Sequence, residues 1–135
     1  MQTVNKVVAR FKNGDVKKGV TGDFFPNKTI FHLQIKTSET SEAREVLQIN
    51  IEELKAVCFV KDFEGNRDRK DDYKDDIVGG GRKIEIEFSD NEKLIGYTQG
   101  YSATRSGFFV VPADLENNNE RIYIITSAVQ KVIFL

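Results

Sequence analysis

The sequence is short of the residues that usually announce chemistry. Its 135 residues include one cysteine, one histidine, one methionine, two prolines and no tryptophan. A lone cysteine, Cys58, excludes a disulfide within the chain. A lone histidine, His32, with no second His and no Cys close to it in sequence, gives no zinc-ligand spacing. No apolar run approaches the ~20 residues that cross a bilayer as a helix. The opening "MQTVNKVVARF" has neither the basic nor the apolar region of a signal peptide. An excess of one charge is missing as well. Twenty Lys and Arg against 21 Asp and Glu leave a formal charge of −1, so the chain has no overall positive field for nucleic acid or an anionic membrane. These absences point to a cytoplasmic protein without a membrane partner, in which the sequon Asn27-Lys28-Thr29 receives no glycan.

What the sequence does have is one pattern used twice. Residues 19–34 read "GVTGDFFPNKTIFHLQ" and residues 96–111 read "GYTQGYSATRSGFFVV". Placing Val7 over Ile84, an offset of 84 − 7 = 77, sets Phe11 on Phe88, Gly19 on Gly96, Thr21 on Thr98, Phe24 on Tyr101 and Phe31 on Phe108. Later the offset is 75, with Leu54 on Val129, Val57 on Val132 and Phe59 on Phe134. The second copy lacks two residues where its polar stretch "ADLENNNE" stands against "KTSETSEARE" of the first.

Each copy reads as five short strands. Ile84, Ile86 and Phe88 alternate with Glu85 and Glu87, the period of a half-buried strand. Val7, Ala9 and Phe11 take the same inner positions in the first copy. "Asn13-Gly14" then signals a two-residue hairpin, and Asn91 stands where the second copy would have the Gly. Gly19 and Gly96 lie in the second strands, where a missing side chain permits a sharp bend or bulge. Third strands are expected near residues 30–35 and 108–111, and fourth strands near 46–50 and 122–125. Short turns, "IEEL" and "TSAV", lead to fifth strands near 56–60 and 132–135. The expected cores are Val7, Ala9, Phe11, Phe31, Leu33, Leu47, Ile49, Val57 and Phe59, then Ile84, Ile86, Phe88, Phe108, Val110, Ile122, Ile124, Val132 and Phe134.

Five short strands with a half-turn before the last describe a small SH3-like or Sm-like barrel. The expected fold is therefore all-β, with two tandem five-stranded barrels. The first covers residues 1–62, a flexible charged and Gly-rich linker covers 63–81, and the second barrel covers 82–135. Residues 61–76 hold seven acidic and five basic residues, with only Phe63 and Tyr73 to bury, which is the composition of a solvated connector. Its aspartates lack the ligand order of a calcium loop. Gly79, Gly80 and Gly81 run into a strand and not onto the helix N-terminus that a phosphate loop needs.

The spacing from Val7 to Phe24 resembles the first motif of the Sm proteins, a resemblance that implies topology alone. RNA-binding Sm proteins follow the aromatic with an Asp and then an Asn; here Phe25 and Thr29 or Ile30 occupy that region. Their second motif is absent, replaced by "INIEELKAV". Across nearly the whole chain, "DFFPN", "LKAVCFVKDFEGN", "GYTQGYS", "GFFVVPAD" and "NNERIY" resemble a bacterial domain family of unknown function. That resemblance implies a bacterial, non-enzymatic accessory domain.

No catalytic set is visible. Cys58 and His32 would formally make a nucleophile and base, but the second copy has Ile133 and Phe109 there, which is how packing positions behave. Glu85 and Glu87 lie on a polar face, and Glu52-Glu53 open a turn, so neither pair suits acid–base work. No enzyme activity, cofactor or metal is expected. The binding candidates are Phe24, Phe25, Tyr97 and Tyr101, near the end of the second strand and the loop after it, with Arg105 beside them. For Phe24 and Tyr101 a place in the core competes with this role. The expected function is a non-catalytic interaction module for a protein partner. An Sm-like protein binding RNA or a nucleotide, and a cyclic-dinucleotide receptor, are the alternatives. Specific nucleic-acid binding is not expected, and a homo-oligomer is left open. Both faces of each fifth strand are apolar, and so is Val8 on the outer face of the first. Val8, Cys58, Val60, Ile133 and Leu135 are therefore expected at an inter-barrel or subunit interface.

Overall fold

Alternating apolar and polar residues, cut by Gly- and Asn-bearing turns, give ten strands in chain order. They are β1 Asn5–Phe11, β2 Val16–Thr21, β3 Ile30–Lys36, β4 Arg44–Asn50, β5 Leu54–Val60, β6 Arg82–Phe88, β7 Lys93–Thr98, β8 Gly107–Pro112, β9 Asn119–Ile125 and β10 Val129–Phe134. Single 3-10 turns, Ile51–Glu53 and Thr126–Ala128, precede β5 and β10. The structure, a computed structural model, describes residues 5–36, 43–61, 81–113 and 119–135. The expected linker at 63–81 lies outside the described residues except for Gly81. Among the described residues no helix is long and apolar enough to cross a membrane.

The chain is all-β, and its strands form one open antiparallel sheet in the order β10-β6-β7-β8-β9-β5-β1-β2-β3-β4. The first half contributes β5-β1-β2-β3-β4 and the second β10-β6-β7-β8-β9, the same order twice. The halves join where β5 pairs with β9, from Ala56 opposite Ile124 to Val60 opposite Asn119.

The two hairpins have matching geometry. Phe11 N donates to Asp15 O at 2.9 Å and Gly14 N to Phe11 O at 3.0 Å; Phe88 N donates to Glu92 O and Asn91 N to Phe88 O, both at 2.8 Å. The loop is thus three residues long, not the two that Asn13-Gly14 suggests. Only its third residue is left-handed, Gly14 at φ 96° and Asn91 at φ 75°. A turn closed by one left-handed residue matches the twist of the flanking strands. Asn13 Oδ1 and Asp90 Oδ1 each accept the backbone N–H two residues on, at 2.9 and 3.0 Å, and set the turn locally. Gly96 is required by a close approach: a Cβ there would lie 2.4 Å from Val110 Cγ1 and 2.6 Å from Val111 O.

The apolar side chains form two clusters, and each draws on both halves. Val7, Phe31, Leu33, Ile49, Val57 and Phe59 are completed by Tyr123 and Ile125 from β9. Ile84, Ile86, Phe88, Phe108, Ile122 and Ile124 are completed by Ala56, Cys58 and Val60 from β5. Alternate residues of β5 and β9 therefore enter different clusters, and strands buried on both faces carry continuous apolar runs. "AVCFV" and "IYII" are such runs. Two expected core residues differ at the far edge. Val132 is only partly buried against the second cluster, and Phe134 is 42% exposed. Their counterparts Val57 and Phe59 are buried because β9 covers β5, whereas β10 is the last strand of the sheet. Phe11 and Leu47 are likewise packed against the first cluster without being enclosed.

Candidate functional site

The loops after β2 and β7 are built on two buried threonines. Thr21 Oγ1 donates to Asp23 Oδ1 at 3.0 Å, and Thr98 Oγ1 donates to Phe109 O at 2.9 Å. In the first half Asp23 also accepts His32 N at 2.9 Å, and its Oδ2 lies 2.7 Å from His32 Nδ1. Desolvation raises the Asp23 pKa, but the hydrogen bonds from His32 and Thr21 outweigh it, and the net shift is downward. His32 on β3 is thus engaged by Asp23, and two strands, β1 and β2, separate β3 from β5, which carries Cys58. Cys58 is buried, and desolvation pushes its thiol up to about 11, so at neutral pH it is a protonated, unreactive thiol. The second half has Gly100 in place of Asp23 and forms its loop by a Ser102–Thr104 contact, with Thr104 N donating to Ser102 Oγ at 3.3 Å.

Between these two loops lies a cleft of about 590 Å³. Phe108, Phe109 and Tyr123 line it as apolar surface, with Pro26 and Asn27 on the first-half side and Arg105 on the other. Tyr123 Oη donates to Pro26 O at 3.5 Å, a long bond that links β9 to the first loop. Gly107 is needed beside that ring, since a Cβ there would lie 2.4 Å from Tyr123 Cζ. The Arg121 guanidinium lies over the rings of Phe59 and Phe109, at 4.5 and 5.0 Å.

The residues expected to bind a partner do not gather in one place. Arg105 lines the cleft. Phe24 packs edge-on against Phe31, Phe59 and Tyr123, with ring centres 5.3, 5.5 and 5.3 Å away. Phe25, next to Pro26 in the chain, is 47% exposed, and Lys28 Nζ lies 4.9 Å from its ring centre. Tyr101 packs against Phe108 and Phe134, and Tyr97 is half-buried on β7 opposite Lys83 and Val111. Of the expected interface residues, Cys58 and Val60 enter the second cluster and Val8 packs against it, while Ile133 and Leu135 are exposed along the outer edge.

A polar seam ties the halves together where sequence reasoning placed nothing. Lys55 is buried on β5; its Nζ donates to Asp90 Oδ2 at 2.6 Å and to Glu92 Oε1, and lies 4.6 Å from the centre of the Phe88 ring. Arg10 holds Glu92 through two hydrogen bonds, at 2.6 and 3.2 Å, and Lys12 Nζ donates to Ser127 Oγ at 2.7 Å. The Arg10 hydrogen bond is the chief cause of a lowered Glu92 pKa, and the Lys55 hydrogen bond of a lowered Asp90 pKa. The signal available in the sequence was one lysine inside an otherwise apolar strand. Among the described residues, no group of three His, Cys, Asp or Glu is placed to hold a metal ion.

A model of a family of unknown function, DUF6982, matches residues 3–135. The chain belongs to this family. No curated protein and no solved structure gives a significant match. The DUF6982 match runs through both halves, so the cleft, the β5–β9 joint and the polar seam all lie within the family's span.

Proposed function

We propose that the chain is a non-catalytic interaction module that binds a protein partner in the cleft between its two loops. The observation that carries this reading is the cleft itself: about 590 Å³, lined by Phe108, Phe109 and Tyr123, with Arg105 at its side. Phe109 is the partly exposed ring there, with Phe108 and Tyr123 buried, and such an apolar floor with a few polar groups around it suits a side chain of a partner segment. A formal charge of −1 gives little attraction for a polyanion. The description of each half as a small SH3-like barrel belongs to the same proposal. The repeated order β5-β1-β2-β3-β4 and the two apolar clusters support it. The bacterial, cytoplasmic setting is part of it too, supported by the family resemblance and the single buried cysteine.

The test is affinity purification from the native cell with the full chain, alongside Arg105→Glu and Phe25→Ala. Arg105→Glu reverses a charge at the cleft, and Phe25→Ala removes the exposed ring beside it. A protein retained by the parent chain and lost with Arg105→Glu is the expected outcome. Recovery of RNA at physiological salt, or saturable binding of a cyclic dinucleotide, with no such protein, would overturn it.

A further inference from the structure

The sheet contains one lateral joint between halves and ends, on either side, in the two unmatched surfaces of that same joint. β10 corresponds to β5, 75 residues earlier, and β4 corresponds to β9. In the joint, Cys58, Phe59 and Val60 are 5%, 4% and 8% exposed. Their counterparts Ile133, Phe134 and Leu135 are 36%, 42% and 63% exposed. At the other end Val46, the counterpart of Arg121, is 58% exposed. Four of the nine large hydrophobics that are exposed among the described residues thus lie on these two edges or immediately after them. An edge strand presents unpaired backbone groups to a neighbour. On β10, Leu135 N donates inward to Lys83 O at 2.9 Å. By alternation along the strand, the N–H groups of Val132 and Phe134 point outward.

We infer that the β10 edge of one chain pairs antiparallel with the β4 edge of a second copy, reproducing between chains the joint that β5 and β9 make within one. This rests on the strand edges and is independent of the cleft. The register follows from the internal joint, where Cys58 faces Ile122 and Phe59 faces Arg121. Shifting by 75 places Ile133 (58 + 75) opposite Leu47 (122 − 75) and Phe134 opposite Val46. It places Val132 opposite Gln48 and Lys131 opposite Ile49, so no like charges oppose each other on these rungs. The two surfaces differ, so the contact is head-to-tail and each chain keeps one free edge until a ring closes or a filament grows.

The polar seam does not carry over. Gln130 stands for Lys55, Glu87 for Arg10, Asn13 for Asp90 and Asp15 for Glu92. Two carboxylates replace the Arg10–Glu92 pair, so the joint between chains is weaker than the internal one and strengthens as salt screens them.

Light scattering coupled to size exclusion tests this on the full chain, whose mass is 15.4 kDa. The parent protein should rise above that mass with concentration and with added salt. Val46→Glu and Phe134→Lys should each stay at the single-chain mass. An equimolar mixture should regain assembly, because each variant keeps the edge that the other lacks. Phe134 also touches Tyr101 and Arg82, so Leu135→Lys, set opposite Arg44, tests the same edge if Phe134→Lys lowers the melting temperature. A parent chain that stays at 15.4 kDa at high micromolar concentration overturns the inference. So does Val46→Glu that retains the parent mass, or a mixture that fails to assemble.

Discussion

At residue 91 an asparagine holds φ 75°, where the corresponding residue of the first hairpin is Gly14 at φ 96°. A Cβ in this region meets the following carbonyl, at about 1–2 kcal/mol for most residues and less for Asn. Gly14→Ala should therefore destabilise the protein by roughly 1 kcal/mol, although no atom beyond its own residue and its two chain neighbours lies within 4 Å of the new methyl. Asn91→Gly should change stability by less than about 0.5 kcal/mol. Urea midpoints at constant slope separate the two; equal losses would contradict the left-handed assignment. These positions were legible in the sequence because the constraint is local. Gly19 and Gly96 were expected to bend or bulge their strands; the structure shows a different requirement, the close approach of β3 to Gly19 and of β8 to Gly96, with the pairing to β1 and β6 continuous through both. Arg105, expected beside the loop aromatics, lines the cleft; Tyr123, which lines it too, was not singled out, because it reaches the cleft from β9, on the strand face opposite the expected core residues Ile122 and Ile124. Lys55 was equally hidden: its partners Asp90 and Glu92 are 35 and 37 residues away, and nothing near it in sequence indicates them.

Among elements, β5 and β10 show how far a local pattern can determine burial. "LKAVCFV" and "VQKVIFL" have the same spacing, yet every residue of β5 is buried and most of β10 is not. The difference is the neighbour on one side, a long-range pairing that neither strand encodes by itself. The same pairing brings β5 against the β6–β7 hairpin, where Lys55 meets two carboxylates. Removing one partner from a buried charge costs more than removing the charge itself. Glu92→Gln should destabilise by about 1 kcal/mol, a figure discounted because Glu92 is 40% exposed and partly screened. Lys55→Met removes the buried charge, keeps an apolar contact to Phe88, and should be close to neutral. The acid response follows from the same groups. The folded pKa of Glu92 lies below its ordinary 4.5, held down first by Arg10, and that of Asp90 below its ordinary 3.8, held down first by Lys55. A lowered folded pKa gives stability that is complete above the ordinary value and lost as pH falls through the folded one. Stability should therefore decline in the acid range, below about pH 4.5, and Glu92→Gln should flatten that decline. An unaltered pH profile would show that the seam contributes nothing to folding.

For the whole molecule, the decisive feature is that neither apolar cluster belongs to one half. The first cluster needs Tyr123 and Ile125 from β9, and the second needs Ala56, Cys58 and Val60 from β5. The sequence shows two similar units and suggests two small domains; the exchange of residues across the joint makes them mutually dependent. Unfolding one half would strip β5 or β9 of its partner and open the other half's cluster to water. Small domains bury little surface in the first place and tolerate such a loss poorly. Urea and thermal unfolding should therefore show a single transition, coincident by fluorescence and by circular dichroism. Tyr123→Ala should cost about 3–5 kcal/mol, the range for deleting a large aromatic from a core. Its effect should spread across the joint: amide exchange at Leu33 in the first half and at Ile86 in the second should quicken by similar factors. Residues 1–62 expressed alone should lack the cooperative transition of the full chain, because Ala56, Cys58 and Val60 then face water. Two separable transitions, or faster exchange confined to one half after Tyr123→Ala, would show instead that the halves fold independently and that the β5–β9 joint only docks them.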